Sequence, residues 1–217
     1  LMLISIYAIV SVYKRYNETS LDTVTMVSKP LRIPEGSLSV ISSETKLPNN
    51  LNGKEYAYSF WMYIDAEQLE QTASNKFILG RLNSSVNVSN GSPIFMLDKT
   101  MNKLHAYVKK NGDDIVSFDD IPNAFRESTL TIPYLPMQRW INIILVVDNN
   151  FLQLFMDGEL RQVKDLSKFA SVGNQSGIIA SPVGNMAVGT SGGVPAFKGF
   201  ISKVQVFNYA ISIDHAK

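Results

Sequence analysis

Arg139–Leu160, read as RWINIILVVDNNFLQLFMDGEL, decides the fold. Two apolar runs, Trp140–Val147 and Phe151–Met156, are separated by Asp148-Asn149-Asn150, and Asp157-Gly158 leads into a third run opening at Glu159. Runs of this length, rich in Val, Ile and Phe and punctuated by Asp, Asn and Gly, make strand, turn, strand, turn. Both faces of Trp140–Val147 are largely apolar, so this strand is expected in a sandwich core rather than on a half-wet sheet.

Outward from this hairpin the chain keeps the same grammar. Val24–Ile33 and Ser37–Ile41 are β-prone, with Pro30 and Pro34 confining them to edges or bends. Strands are expected at Tyr56–Ile64, Lys76–Leu82, Ile115–Phe118, Leu130–Ile132 and near Met186–Gly189. Ile94–Leu97 and Lys103–Lys109 read as a hairpin around Asp98–Asn102. Asp65–Ala73 suits a helical turn, and Asn83–Pro93 and Gly189–Pro195 read as loops. Short strands at this spacing, with no long amphipathic helix, argue for a sandwich over an α/β fold.

Composition narrows the function classes. The 217 residues fit one large domain plus a short extra element, and 45% hydrophobic with 18% charged residues describes a foldable chain. A net charge of +1 implies no broad basic surface for nucleic acid. The absence of cysteine excludes disulfides, thiolate metal sites and a cysteine nucleophile, and leans toward a reducing compartment.

Three segments carry a family resemblance: the Trp140 hairpin ending in Asp157-Gly158; EYAYSFWMYI at Glu55–Ile64, with Ser59-Phe60-Trp61 at its centre; and FKGFISKVQVFNYAIS at Phe197–Ser212. In this order they resemble the laminin-G-like domains of the concanavalin A-like lectin superfamily. The fold class expected is therefore all-β, an antiparallel jelly-roll β-sandwich, preceded by an N-terminal apolar transmembrane helix.

That helix is read from Leu1–Tyr13, LMLISIYAIVSVY, followed at once by Lys14-Arg15. Spanning a bilayer takes about 20 apolar residues. The segment reads as the C-terminal part of an anchor, with Leu1, Leu3, Ile4, Ile6, Ile9 and Val10 in the membrane and Lys14 and Arg15 as the stop-transfer pair. A signal-peptide core fits less well, because its charges should precede the apolar run. A buried strand or helix of the domain is the other alternative. The expected organisation is anchor 1–16, linker 17–23 and sandwich 24–217. Lys14 and Arg15 place the domain in the cytosol by the positive-inside rule, whereas five sequons, at Asn17, Asn83, Asn87, Asn90 and Asn174, point to the lumenal side.

The chemistry such a superfamily can host is glycoside hydrolysis, which needs two facing carboxylates. Asp65, Glu67 and Glu70 do not match the strand motif of the related glucanases, and Asp113-Asp114 and Asp119-Asp120 are adjacent pairs suited to turns. A non-catalytic module is expected. His105 and His215 lack nearby partners for a triad or zinc site and read as surface or packing residues. The resemblance raises calcium as a cofactor, with Asp98 the candidate ligand and Asp148 the other acid in a turn. Asn83, Asn87 and Asn90 in one loop, with Ser191 and Gly192 in the Gly189–Gly193 loop, are candidates for a ligand- or partner-binding rim. Trp61 and Trp140 are expected in the core.

Two functions follow as expectations. In one, the chain is a membrane-anchored scaffold linking a membrane to neighbouring proteins of an assembly, an architecture that resembles membrane-associated minor capsid proteins of large DNA viruses with an internal membrane. In the other it is a lectin-like module for glycan or protein at a cell surface or in a lumen.

Overall fold

The computed structural model describes residues 23–48, 55–69, 72–83, 88–113, 116–149, 151–167, 179–190 and 193–212. In chain order its strands are β1 (Thr23–Val27), β2 (Leu31–Arg32), β3 (Leu38–Ser42), β4 (Glu55–Ile64), β5 (Lys76–Leu82), β6 (Gly91–Leu97), β7 (Leu104–Tyr107), β8 (Thr129–Ile132), β9 (Trp140–Asp148), β10 (Phe151–Met156), β11 (Glu159–Asp165), β12 (Asn185–Gly189) and β13 (Gly199–Phe207). A seven-stranded sheet runs β1-β13-β4-β9-β10-β11, with β2 beside β13, and a six-stranded sheet runs β3-β12-β5-β6-β7-β8. All the strand pairings are antiparallel, so the expected all-β sandwich is the architecture.

Period-two alternation sorts β4 into two sides. Tyr56, Tyr58, Phe60, Met62 and Ile64 point between the sheets, where they meet Ile141, Ile143, Leu145 and Val147 of β9 and Phe95 and Leu104 of the other sheet. Phe60 and Phe95 meet edge to face at 4.9 Å across the sandwich. Phe60, Met62 and Ile64 each contribute about 1.5–3 kcal/mol by burial.

Both sheets are also covered in part on their outer faces. Phe77, Ile94, Met96, Tyr107 and Ala187 of the six-stranded sheet are capped by Phe118 and Ile121. These two come from a 3-10 turn at Phe118–Asp120 and a one-turn helix, α1 (Ile121–Ala124). On the seven-stranded sheet, Ala57, Ile144, Val146 and Phe155 are covered by Ile211, with Phe207 and Ala210 packed alongside. This tail explains why Trp140–Val147 is apolar on both faces: one face looks into the sandwich and the other lies partly under the segment that follows β13.

Three expectations are corrected. Phe118 stands in a 3-10 turn, not at the end of a strand from Ile115, because its ring is needed over Phe77, at 6.3 Å between centroids. Gly91, Ser92 and Pro93 belong to β6 rather than to the preceding loop. Proline is accommodated there because the β5–β6 register is irregular between Gly80 and Leu82, and a bulge needs no ladder hydrogen bond from every residue. Trp61, 36% exposed, and the half-buried Trp140, paired with Tyr63, both stand on the outer face, not in the core.

The anchor residues Leu1, Leu3, Ile4, Ile6, Ile9, Val10, Lys14 and Arg15 lie outside the described residues, as do sequons Asn17 and Asn174. Among the described residues no helix is long and apolar enough to cross a membrane. Thr23, the first described residue, lies in β1.

Candidate binding face and end cleft

The two loops expected to form a rim lie at opposite ends of the six-stranded sheet. Asn83 follows Leu82, which pairs with Gly91 just after Asn90, whereas Gly189 leads into Thr190 at the end where Phe77 pairs with Ala196. The seven residues of β5 separate them by roughly 20 Å. Asn90 accepts a hydrogen bond from Lys109 Nζ at 3.1 Å. Asn87, Ser191 and Gly192 lie outside the described residues.

Each end of β5 also places a cation on the inner face. Lys76 pairs with Leu97 and Arg81 with Met186, both core residues, so the two long side chains point between the sheets. Arg81 is 6% exposed; its Nε donates to Gly184 O at 3.0 Å, and Nη2 lies 3.7 Å from Glu44 Oε1. Lys76 lines a cleft of about 290 Å³ at the other open end of the sandwich. Glu67 and Thr72 from the turn after β4, Lys198 before β13, Thr190 after β12 and Glu35 before β3 complete its polar lining. Lys198 Nζ lies 3.7 Å from Glu67 Oε2. With two lysines and two glutamates the lining pairs donors with acceptors and suits a neutral polar group better than a bare ion.

Asp98 is a turn-former. Its Oδ1 accepts hydrogen bonds from Thr100 N (2.9 Å), Thr100 Oγ1 (2.8 Å) and Met101 N (3.1 Å), and Oδ2 lies 3.8 Å from His105 Nε2. Burial alone would raise its pKa, but these hydrogen bonds and the neighbouring His105 more than offset that, and the carboxyl titrates below the ordinary range. An oxygen with three donors on it is a poor calcium ligand, and no cluster of three metal-ligating side chains occurs among the described residues. His105 is a packing residue, 4% exposed, with Nδ1 3.1 Å from Thr131 Oγ1. Burial, with Lys103 nearby, lowers its pKa to about 4.

Three of the acids considered for hydrolysis have structural partners. Asp65 pairs with Arg32 at 3.3 Å, Asp113 accepts from Tyr107 Oη at 3.1 Å, and Asp119 accepts from Asn75 N at 2.6 Å. Glu70 and Asp114 lie outside the described residues.

The feature missed in the sequence is on the outer face of the seven-stranded sheet. Register puts Arg32, Phe200, Tyr63 and Trp140 side by side on four adjacent strands. Arg32 Cζ lies 5.3 Å from the Phe200 ring centre, Phe200 and Tyr63 are 6.3 Å apart, and Tyr63 and Trp140 are 5.7 Å apart. Such contacts add about 0.5–1.5 kcal/mol each beyond burial and hold the rings in fixed orientations. One row inward, Trp61 stands between Ser202 and Asn142. Asn142 Nδ2 donates to Phe60 O at 3.3 Å, and its backbone N–H donates to Asp157 Oδ1 at 2.8 Å, while Asp157 Oδ2 takes Arg139 at 2.8 Å. An exposed indole is thus flanked by two buried polar side chains, of which Asn142 is fixed by its hydrogen bonds. The signal was present: Glu55 and Ser59 are polar on the same face as Trp61, which alternation alone assigns to the wet side.

Fold and segment order together define a concanavalin A-like sandwich domain. The chain belongs to the concanavalin A-like lectin/glucanases superfamily, whose laminin-G model matches residues 39–216. No curated protein matches the sequence. Among solved structures, the receptor binding domain of botulinum neurotoxin D is similar at TM-score 0.59 and 11% identity, covering 89% of this chain and 46% of that one. The binding domain of botulinum neurotoxin DC, solved in complex with rat synaptotagmin II, is similar at TM-score 0.54 and 10% identity, covering 90% of this chain and 44% of that one. The chain spans less than half the length of these relatives, and at such identity the likeness is one of fold.

Proposed function

We propose that this chain is a non-catalytic laminin-G-like binding module, held at a membrane by its N-terminal apolar segment, that links the membrane to a protein assembly. The observation that carries the binding role is the ladder Arg32–Phe200–Tyr63–Trp140 with Trp61 beside it. Interfaces concentrate their energy in aromatic and arginine side chains held rigidly, and a row spread over four strands offers a neighbouring chain a broad contact. The membrane role rests on Leu1–Tyr13 followed by Lys14-Arg15, with the domain on the cytosolic side. An assembly built on an internal membrane, such as the virion of a large DNA virus with this chain as a minor capsid component, fits that arrangement.

A second reading has its own support. Trp61 offers an exposed apolar ring face on the outside of the sheet, the surface on which a sugar ring stacks. The lectin-like module would then face a lumen or cell surface.

Fractionation of the full-length protein separates the two. Resistance to carbonate extraction, with the domain digestible from the cytosolic side, is expected for the scaffold. A protease-protected domain whose mass falls on glycosidase treatment points to the lectin. Complete release into the soluble fraction removes the anchor.

A further inference from the structure

At the end of the seven-stranded sheet away from the aromatic ladder, the outer face changes character. Phe151 is 45% exposed, and Leu160 and Val163 are each 47% exposed on neighbouring strands. The β10–β11 register sets Leu160 against Phe155 and Val163 against Gln153, so all these side chains share the outer face. The row ending this strip is acidic. Glu55 pairs with Asp148, Asp148 with Phe151, and Phe151 with Asp165, which sets three carboxylates in line with the exposed phenyl ring, the Oδ1 of Asp165 being held by Ser167 N at 2.9 Å. Asn149 Nδ2 bonds both Glu55 Oε1 (2.9 Å) and Asp148 Oδ1 (3.0 Å), holding two of them together.

We propose that this strip docks a segment of a neighbouring protein in which apolar side chains are followed by lysine or arginine. Two observations point to that occupant. The strip continues the patch of Ile144, Val146 and Phe155 that the chain's own tail already covers with Ile211, so the face accepts apolar side chains. The acidic row then favours a cation at one end of the segment. A second copy of the chain fits poorly, because the arginines at the other end of these strands are engaged, Arg161 with Glu159 and Arg139 with Asp157, both at 2.8 Å. A lipid surface fits poorly too, since its anionic headgroups would meet three carboxylates. The inference rests on the scaffold reading, in that it supplies the chemistry of an assembly partner.

The test uses the full chain in nanodiscs, titrated with three blocked peptides that share a Leu-Val-Leu-Val core flanked by lysines, serines or glutamates. The lysine-flanked peptide is expected to bind at least about tenfold more tightly than the glutamate-flanked one, and to weaken as salt rises. Leu160→Ser with Val163→Ser should weaken it at least about tenfold, and Glu55→Gln with Asp148→Asn about threefold or more, each at unchanged Tm. Equal binding of all three peptides, indifference to the variants, or no saturable binding overturns the proposal. So does efficient disulfide-linked dimerisation of Val163→Cys across the strip, which would assign the face to a second copy. Fractionation reports separately on the membrane role, so failure of either reading leaves the other measurable.

Discussion

Arg81 Nε donates to the carbonyl of Gly184, 103 residues away in sequence, at 3.0 Å. Glu44 closes the same contact from a third segment: its Oε1 accepts from Gly184 N at 2.9 Å, and its own N–H donates to Asn185 Oδ1 at 2.9 Å. A turn between strands, a buried cation and a 3-10 turn thus lock one end of the sandwich.

Gly184 is the sensitive point of that lock. It holds φ +93°, and a Cβ there would stand 2.1 Å from Leu82 O. Gly184→Ala is expected to cost about 3 kcal/mol or more, a fall in Tm of about 6–12 °C for a domain of this size. Calorimetry checks it; a shift below 2 °C would mean that the turn relaxes freely.

Acid should weaken the fold through His105. Its pKa in the folded chain is about 4, below the ordinary value of 6.5. Between these values the unfolded chain binds the proton and the folded chain does not. Stability is therefore full above pH 6.5 and declines as pH falls toward 4, by up to about 3 kcal/mol. His105→Asn should flatten that slope. Asp98, whose carboxyl is lowered, loses its contribution only below the ordinary carboxylate pKa of 3.8, so the two windows separate in a denaturation series.

Tryptophan emission tests the binding face directly, because Trp61 and Trp140 are the only two indoles. The Trp140→Phe chain, reporting Trp61, should emit further to the red and be quenched more by acrylamide than the Trp61→Phe chain. A saturable shift on adding oligosaccharide would favour the lectin reading. A shift produced only by protein fractions would favour the scaffold.

Removing the tail's anchor should expose the outer face. Ile211→Ser uncovers Ile144, Val146 and Phe155, which predicts a loss of about 1–3 kcal/mol and a rise in binding of an apolar dye. An unchanged dye signal would show that Phe207 and Ala210 cover the patch unaided.

Calcium should leave Tm unmoved within about 1 °C up to millimolar concentration. The Asp98 oxygen best placed for an ion is already taken by Thr100 and Met101. A concentration-dependent rise in Tm would restore the ion.

The strands were legible wherever sequence alternation and burial agreed. Lys76–Leu82 and the Trp140 hairpin follow directly from their apolar runs. Phe118 was misread because local propensity cannot show that the ring is needed above Phe77, a long-range demand. Trp61 was misplaced by weighing its apolar neighbours over its parity with Glu55 and Ser59. The ladder was out of reach for another reason: Arg32, Tyr63, Trp140 and Phe200 come together only through strand register, which no single segment contains.

The irregular pairing of β11 bears on how the molecule behaves when crowded. Opposite β10, Arg161 is an extra residue between Leu160 and Gln162, and Glu159, Lys164 and Asp165 share this edge strand with it. At the sheet's other edge Met26 interrupts β1 in the same way, while β8, an edge of the partner sheet, gives the N–H of Thr131 to the Gln162 side chain. Kinked, charged or capped rims resist the addition of a further strand. Lateral growth into fibrils is thereby discouraged, and concentrated protein should stay thioflavin-negative although large apolar side chains stand on its surface.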